Sequence, residues 1–489
     1  MIYDVLVIGG GINGAAIAAD AAGRGLRVML CEKNDFGSAT SSNSSKLIHG
    51  GLRYLAQYHF KLVTIALKER RILLKRAPHL VHPLSFIMPD SPDSLSPLWI
   101  RLGLWLYDHL AATPELQPAR RIDLTHSGSQ YSLKHPKKGF KYSDCWGNDA
   151  RLVIANLQLA QACSATLYPR MTVLSAEPDA GSWRIRVQPE KGGVETLWAK
   201  ALVNATGPYA DAVMNTIFPD RPPVLRLVKG SHFIIKRFYT GEDAFILPCP
   251  DGRIVFLIPF LSDLLIVGTT DVDYAGDPAD VKMDEAEIRY LIDIVNTYFD
   301  YPITRGDILW DYSGVRPLYD DHHAQASRLS RDYHLVLDTQ ASLPLLTVYG
   351  GKLTTHRHLA EEALAHLAPY FPEMGPSWTE TAVFPHGDIG MSMPAFIEEA
   401  YTVYPFLPRT LIHRLASDYG KAIHLMLAGV HNVKALGQHF GADLYEKEVH
   451  YLLQYEWAQT AEDILWRRTK LGLFLSADER EVLNSWLKA

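Results

Sequence analysis

The chain has 489 residues, 47% of them hydrophobic and 21% charged, with a formal charge of −6 and no acidic or basic tail. That length exceeds one compact core and implies two or three domains, while the missing basic excess argues against a dedicated nucleic-acid binder. Cys31, Cys145, Cys163 and Cys249 are scattered, with neither CxxC pairs nor metal-ligand spacing, so neither a disulfide framework nor a metal centre is expected.

The first residues run straight into a strand without a basic leader, so no signal peptide is expected. The chain holds no run of about 18 uncharged apolar residues, so no membrane-crossing helix is expected. The segment "YDVLVIGGGINGAAIAADAAGRGLRVMLCEK" then reads as strand, glycine turn, alanine-rich helix and second strand. Gly9, Gly11 and Gly14 stand in GxGxxG spacing, and Glu32 closes the second strand 18 residues after Gly14. Gly9 permits the tight turn, Gly11 lets backbone approach a pyrophosphate, and Gly14 lets helix and strand pack closely. The helix N-terminus offers N–H groups to phosphate, and Glu32 can accept from a ribose hydroxyl. An acid there disfavours a 2′-phosphate, leaving FAD or NAD.

Next comes "NDFGSATSSNSSKLIHGGLRYL", rich in hydroxyls and small residues. Ser44 and Ser45 can donate to phosphate or ring oxygens, and Gly50-Gly51 lets backbone pass close to a flavin. His49, Arg53 and Tyr54 would then face a small anionic substrate, since guanidinium suits phosphate or carboxylate. Two following segments carry features that could meet a membrane surface. Residues 61–78 hold six cations against one acid, and "PLWIRLGLWLYDHL" (97–110) is rich in tryptophan and leucine. Taken alone, each segment reads better as ordinary structure, the first as a cofactor-domain helix with a solvated face.

"ALVNATGPYAD" (201–211) is a strand ending at Thr206-Gly207, of the kind that lies beside a dinucleotide. Residues 216–315 alternate apolar and polar positions between turn signals, which suits an antiparallel sheet over the flavin. Within it His232 starts an alternating strand, Thr269, Thr270 and Asp271 stand at a strand end, and Arg316 is pinned by Pro317 after "ILWDYSGV". "LPLLTVYGGKLTTHRHLAEEALAHL" (343–367) is a strand, a Gly350-Gly351 turn and a helix starting near Lys352 or Leu353. Leu359, Ala360, Leu364 and Leu367 form its apolar stripe. Its N-terminus and Lys352 make a second anion site, suited to the negative charge of a reduced flavin. Cofactor elements this dispersed in sequence favour FAD over NAD. After Pro385 the pattern is helical to residue 489.

The set "IGGGINGAAIAADAAGRG", "SSKLIHGGLRYL", "YSDCWGNDARLVIANLQLA", "LVKGSHF", "GTTDVDYAGDP", "YSGVRPL", "GGKLTTHRHLAEEAL" and "WRRTKLGL" closely resembles the FAD-dependent sn-glycerol-3-phosphate dehydrogenases of the aerobic bacterial type. The resemblance covers essentially the whole chain in order. Two positions depart from it: Ala16 stands where the family usually has glycine, and His356 where it has tyrosine.

The expected fold is α/β, with a discontinuous Rossmann-like FAD domain (1–75, 145–215, 316–370), an antiparallel-sheet substrate domain (76–144, 216–315) and a C-terminal α-helical domain (385–489). The resemblance implies His49, Arg53, Tyr54, His232, Arg316 and Lys352 around the substrate. Expected cofactor contacts are Gly9, Gly11, Ile12, Asn13, Gly14, Glu32, Lys33, Thr40, Ser41, Ser44, Ser45, Lys46, Leu47, His49, Gly50, Gly51, Ala205, Thr206, Gly207, Arg316, Gly351, Lys352, Leu353 and Thr354. The implied reaction takes sn-glycerol 3-phosphate to dihydroxyacetone phosphate, with His49 or His232 as base. Electrons would pass to a quinone, with peripheral attachment at the cytoplasmic face of the inner membrane. A homodimer is compatible with the pattern. The nearest rival is an oxygen-using oxidase of glycerol 3-phosphate or of an amine.

Overall fold

The computed structural model describes the chain except residues 53–54, 56–58, 92–95, 111–112, 126–127, 136–137, 321–331 and 340–342. Two large sheets share the N-terminal three-quarters. In the first, the order is His334–Asp338, Leu345–Tyr349, Glu195–Asn204, Ile2–Ile8, Val28–Cys31 and Thr166–Tyr168. All neighbours are parallel except the edge strand His334–Asp338. Met171–Asp179 and Ser182–Pro189 continue from Glu195–Asn204 as an antiparallel flap.

Parallel strands covered on both faces need uninterrupted apolar runs, and Val5, Leu6 and Val7 are fully buried. On one face lie helices Ile12–Gly23, Asp149–Ala162 and His356–Leu367. The alanines of the first helix let it pack between the other two; Ala16, 3% exposed, is one of these contacts. The predicted stripe Leu359, Ala360, Leu364 and Leu367 is buried in the same core. The helix itself begins at His356, after a 3₁₀ turn over Leu353–Thr355, a few residues later than predicted.

The second sheet has ten strands, antiparallel except where Ala244–Pro248 runs parallel to Val81–Pro89. Its longest pairing joins Leu225–Lys236 to Ile308–Tyr319, with His232 opposite Tyr312 and Val228 opposite Arg316. The short strand Leu47–Ile48, from the segment following the first βαβ unit, pairs with Lys138–Gly147 at one edge of this sheet. That crossing carries the hydroxyl-rich loop from one sheet to the other. Strands Lys138–Gly147 and Ile308–Tyr319 both straddle the domain boundaries expected at residues 145 and 316.

Helix Phe60–Arg76 buries Val63, Leu67, Leu73 and also Arg70 and Arg76. Arg70 pairs with Asp144, and Arg76 Nε donates to the Ala382 carbonyl. The cation run is therefore split: Lys61, Lys68, Arg71 and Lys75 face outward, whereas Arg70 and Arg76 serve the interior. Helix Pro97–Leu110 behaves differently. It buries Leu104 and Tyr107 and leaves Leu98, Trp99, Leu102 and Trp105 from 52% to 74% exposed. No helix among the described residues is long and apolar enough to cross a membrane.

The C-terminal part is helical, with helices Met393–Val403, Arg409–Tyr419, Glu446–Tyr455 and Ala477–Lys488 around their own core of Phe396, Leu411, Leu415, Leu452 and Leu483. A two-stranded hairpin, His439–Gly441 with Leu444–Tyr445, interrupts the helices.

Candidate active site

Four chain segments converge at the carboxyl ends of the parallel strands: Gly9–Asn13, Glu32–Asp35, Ala205–Gly207 and Gly350–Thr354. Together with the inner strands of the second sheet they line one continuous cavity of about 1000 Å3. A crevice there is where open parallel sheets bind ligands.

The nucleotide end is made mostly of backbone. Gly9 has φ +106°, and a Cβ on it would lie 2.6 Å from the Ala205 carbonyl oxygen. A Cβ on Gly14 would stand 2.0 Å from the Gly9 oxygen, so helix and strand approach more closely than any side chain allows. Glu32 accepts from Gly10 N at 2.7 Å and Asn34 N at 2.8 Å, and burial pushes its carboxyl up from the ordinary range. Asn13 reaches across to the second glycine turn, donating from Nδ2 to the Gly350 carbonyl at 3.1 Å. Its Oδ1 is buried and has no hydrogen-bond partner among the described residues. An acceptor left bare beside glycine backbone, a helix N-terminus and a ribose-type acid fits a dinucleotide lying along the cavity.

The substrate end is made of side chains. Arg316 Nη1 donates to Asp271 and to the Thr270 carbonyl, and Nη2 donates to Thr269 Oγ1 at 2.9 Å. Gly230, on the neighbouring strand, makes room for it: a Cβ there would fall 2.4 Å from Nη2. His232 is 1% exposed and stacks on Tyr312 with ring centres 4.9 Å apart. Its Nε2 lies 2.8 Å from Ser45 Oγ, while Nδ1 has no hydrogen-bond partner among the described residues. Burial, with Arg316 and Lys46 nearby, holds this imidazole well below its ordinary range, so it is neutral. His49 and Lys352 line the same cavity, and the His49 backbone N–H donates to Thr354 Oγ1 at 3.1 Å.

The cavity thus gathers His49, His232, Arg316 and Lys352, and most of the expected cofactor contacts. Gly14, Lys46 and Gly50 are not on its wall. Gly14 acts through packing. Lys46, 3% exposed, spends its ammonium on Asp149 at 2.8 Å and the Ser42 carbonyl, and Ser44 Oγ also donates to Asp149. Gly50 N donates to Tyr107 Oη at 2.8 Å. Arg53 and Tyr54 lie outside the described residues. Sequence reasoning missed the supports Asp149 and Tyr312; it named Ser45 as a cofactor contact and Asp271 at a strand end, but not as the partners of His232 and Arg316. One signal was present: "GND" before an apolar run marks a helix start, and Asn148 does cap that helix.

His356 is fully buried. One ring nitrogen lies 2.6 Å from the Leu353 carbonyl and the other 3.3 Å from Asn156 Nδ2, and burial brings its pKa down to about 3. It brings no charge to the cofactor at neutral pH.

Residues 4–357 match the family model described as FAD dependent oxidoreductase, and residues 379–488 match that of the C-terminal domain of alpha-glycerophosphate oxidase. A glycerol-3-phosphate dehydrogenase of Pseudomonas aeruginosa is 47% identical over 100% of this chain and 95% of its own. The chain belongs to the FAD-dependent glycerol-3-phosphate dehydrogenase family. A D-erythritol 1-phosphate dehydrogenase of Brucella abortus, 45% identical over 99% of this chain and 97% of its own, is a further relative within it. A crystal structure of a glycerol-3-phosphate dehydrogenase from Bacillus halodurans complexed with FAD superposes with a TM-score of 0.79 at 25% identity, covering 100% of this chain and 94% of that one. The cofactor of this family member is FAD, and the cavity fits it.

Proposed function

We propose that the protein oxidises sn-glycerol 3-phosphate to dihydroxyacetone phosphate and passes the electrons to a quinone at a membrane surface. The observation that carries the substrate reading is Arg316, a guanidinium fixed on three acceptors beside a neutral histidine in the cofactor cavity. Such a fork suits phosphate and the oxygen at C2 better than an amine. Bound FAD supplies the acceptor for the hydride leaving C2.

The chain's residues do the rest. Arg316, with Arg53, would hold the phosphate and the developing alkoxide; Lys352, on the cavity wall, would offset negative charge on the cofactor; His49 and Tyr54 would orient the polyol. We assign the C2 hydroxyl proton to His232. Its neutral imidazole has a nitrogen available, and a bound phosphate dianion offsets the Arg316 charge that otherwise opposes its protonation. Ser45 and the stacked Tyr312 fix the ring.

The membrane reading rests on helix Pro97–Leu110, whose outward row Leu98, Trp99, Leu102 and Trp105 is too apolar to gain from water. Peripheral contact on the cytoplasmic face would bring a quinone near the cavity, and helix residue Tyr107 touches Gly50 directly.

The Brucella abortus relative supports a second substrate, a tetritol phosphate, which shares the phosphate-bearing end. Anaerobic mixing decides: glycerol 3-phosphate should bleach the flavin band near roughly 450 nm faster than D-erythritol 1-phosphate, glycerol or amino acids. Faster bleaching by the tetritol phosphate would transfer the assignment to it, and bleaching by an amine alone would refute the phosphate reading. Stoichiometric peroxide on readmitting air, with no reduction of a quinone analogue, would replace the quinone with oxygen.

A further inference from the structure

The loop that follows Glu32 is gripped from the far end of the chain. Asp35, 2% exposed, receives Arg467 Nε at 2.5 Å and Arg468 Nη1 and Nη2 at 2.7 and 2.8 Å. Both arginines lie in a π-helical turn, Asp463–Arg468, of the C-terminal domain. The wider turn narrows the angle between successive side chains and so brings both onto one carboxylate. Arg467 also pairs with Asp463, whose other oxygen takes Arg170 Nη2 at 2.6 Å. Arg170 N in turn donates to the Asn34 carbonyl, and Asn34 N to Glu32. The ring of contacts therefore closes on the ribose acid itself. Behind it Arg468 donates to the Glu456 carbonyl, and the Glu456 carboxylate holds Arg151. Thr460, Glu462, Asp463 and Arg467 form part of the cavity wall, next to the Arg170–Val173 strand start.

A carboxylate as buried as Asp35 keeps its place in the interior through the arginines that pair with it. The shape of the 32–36 loop, and with it the nucleotide end of the cavity, thus depends on the C-terminal domain.

We propose that the C-terminal domain is a cofactor lock: Arg467 and Arg468, acting through Asp35, hold the nucleotide loop in the form that retains FAD, and Glu462 and Asp463 close its adenosine end. They are positioning residues. The inference rests on FAD as the cofactor and extends it to a role for residues 456–470. Because linkage is reciprocal, bound FAD must also steady the π-helical turn.

Two measurements test this. Wild-type and Arg467→Gln holoenzymes are diluted into FAD-free buffer and flavin release is followed by its fluorescence. The expected release is about ten- to a hundredfold faster in the variant, with KM for the polyol phosphate unchanged. Arg409→Gln, on the exposed side of the same domain, should match wild type. Release from Arg467→Gln at the wild-type rate would overturn the lock. Independently of whether that variant folds, amide exchange over residues 463–471 of the wild type should rise on flavin removal; unchanged exchange overturns it equally. A wild type that purifies with no flavin and takes up none would instead refute the cofactor reading on which the lock depends.

Discussion

The two ends of the cavity are built on different physics. The nucleotide end is backbone: glycines that admit close approach, a helix N-terminus, and Glu32, proposed to take the ribose, held by two main-chain N–H groups. The substrate end is side chains held by other side chains, Arg316 on Asp271 and Thr269, His232 between Ser45 and Tyr312. Backbone sites are unforgiving of added atoms, and the charges that matter here, Asp35 with Arg467 and Arg468, act on the loop from behind. Side-chain sites tolerate small shape changes and fail when a charge is lost.

The largest effect should come from adding bulk at the nucleotide end. Gly14→Val places carbon where the Gly9 carbonyl already stands, and the protein should purify with almost no flavin, read from its visible absorbance. Full flavin content would mean that close packing is not what shapes this end. Next is charge removal at the substrate end. Arg316→Ala should retain flavin but lose on the order of 10²–10³ in kcat/KM, the usual range for truncating a hydrogen-bonded charge partner. A flavin-free Arg316→Ala protein would erase the contrast between the two ends.

This difference also explains what the amino-acid sequence reveals. The backbone end is legible because GxGxxG, Thr206-Gly207 and Gly350-Gly351 are local patterns, each carrying its own reason for glycine. The α/β architecture follows from the same strands, and the apolar stripe on the helix after Lys352 from its spacing. The substrate end is only half legible. Arg316 and His232 stand out by residue type, but their supports Asp271 and Ser45 lie in loops 45 and 187 residues away, and no local pattern announces such a pair. Lys46 shows the hazard: beside a run of hydroxyls it reads as a cofactor contact, yet its ammonium is spent on Asp149, 103 residues away. The arginine pair at 467–468 is visible as "WRRTK", but its partner Asp35 lies 432 residues before Arg467.

A smaller effect concerns the packing beneath both ends. His356 has its pKa brought down to about 3 by burial, as does His79, and that of His82 falls to about 4. In the unfolded chain each would take a proton near pH 6.5, whereas in the fold each stays neutral until far lower. Their contribution to stability is therefore intact above pH 6.5 and is lost as pH falls from there toward the folded values. His356→Tyr, the residue common in the family, should remove one of these penalties. The loss of unfolding free energy between pH 7 and pH 5.5 should shrink by about 1 kcal/mol, measured by urea titration. An unchanged difference would mean that His356 titrates in the fold as it does in the unfolded chain.

The smallest effect on the cavity is expected from helix Pro97–Leu110, which has one face in each environment. Tyr107 on its inner face donates to Asp144 and accepts from Gly50 N, so that face holds the loop at Gly50. Trp99 and Trp105, 64% and 56% exposed, lie outside it. Replacing both by serine removes apolar area without touching Tyr107. Binding to anionic vesicles should weaken on the order of tenfold, while turnover with a soluble dye acceptor should stay within about twofold, since surface changes of this kind rarely disturb a packed interior. Unchanged vesicle binding would remove the helix as the membrane contact. Loss of dye turnover would show that the outer face supports the Gly50 loop through Tyr107, and the two faces of the helix would have to be treated as one element of the site.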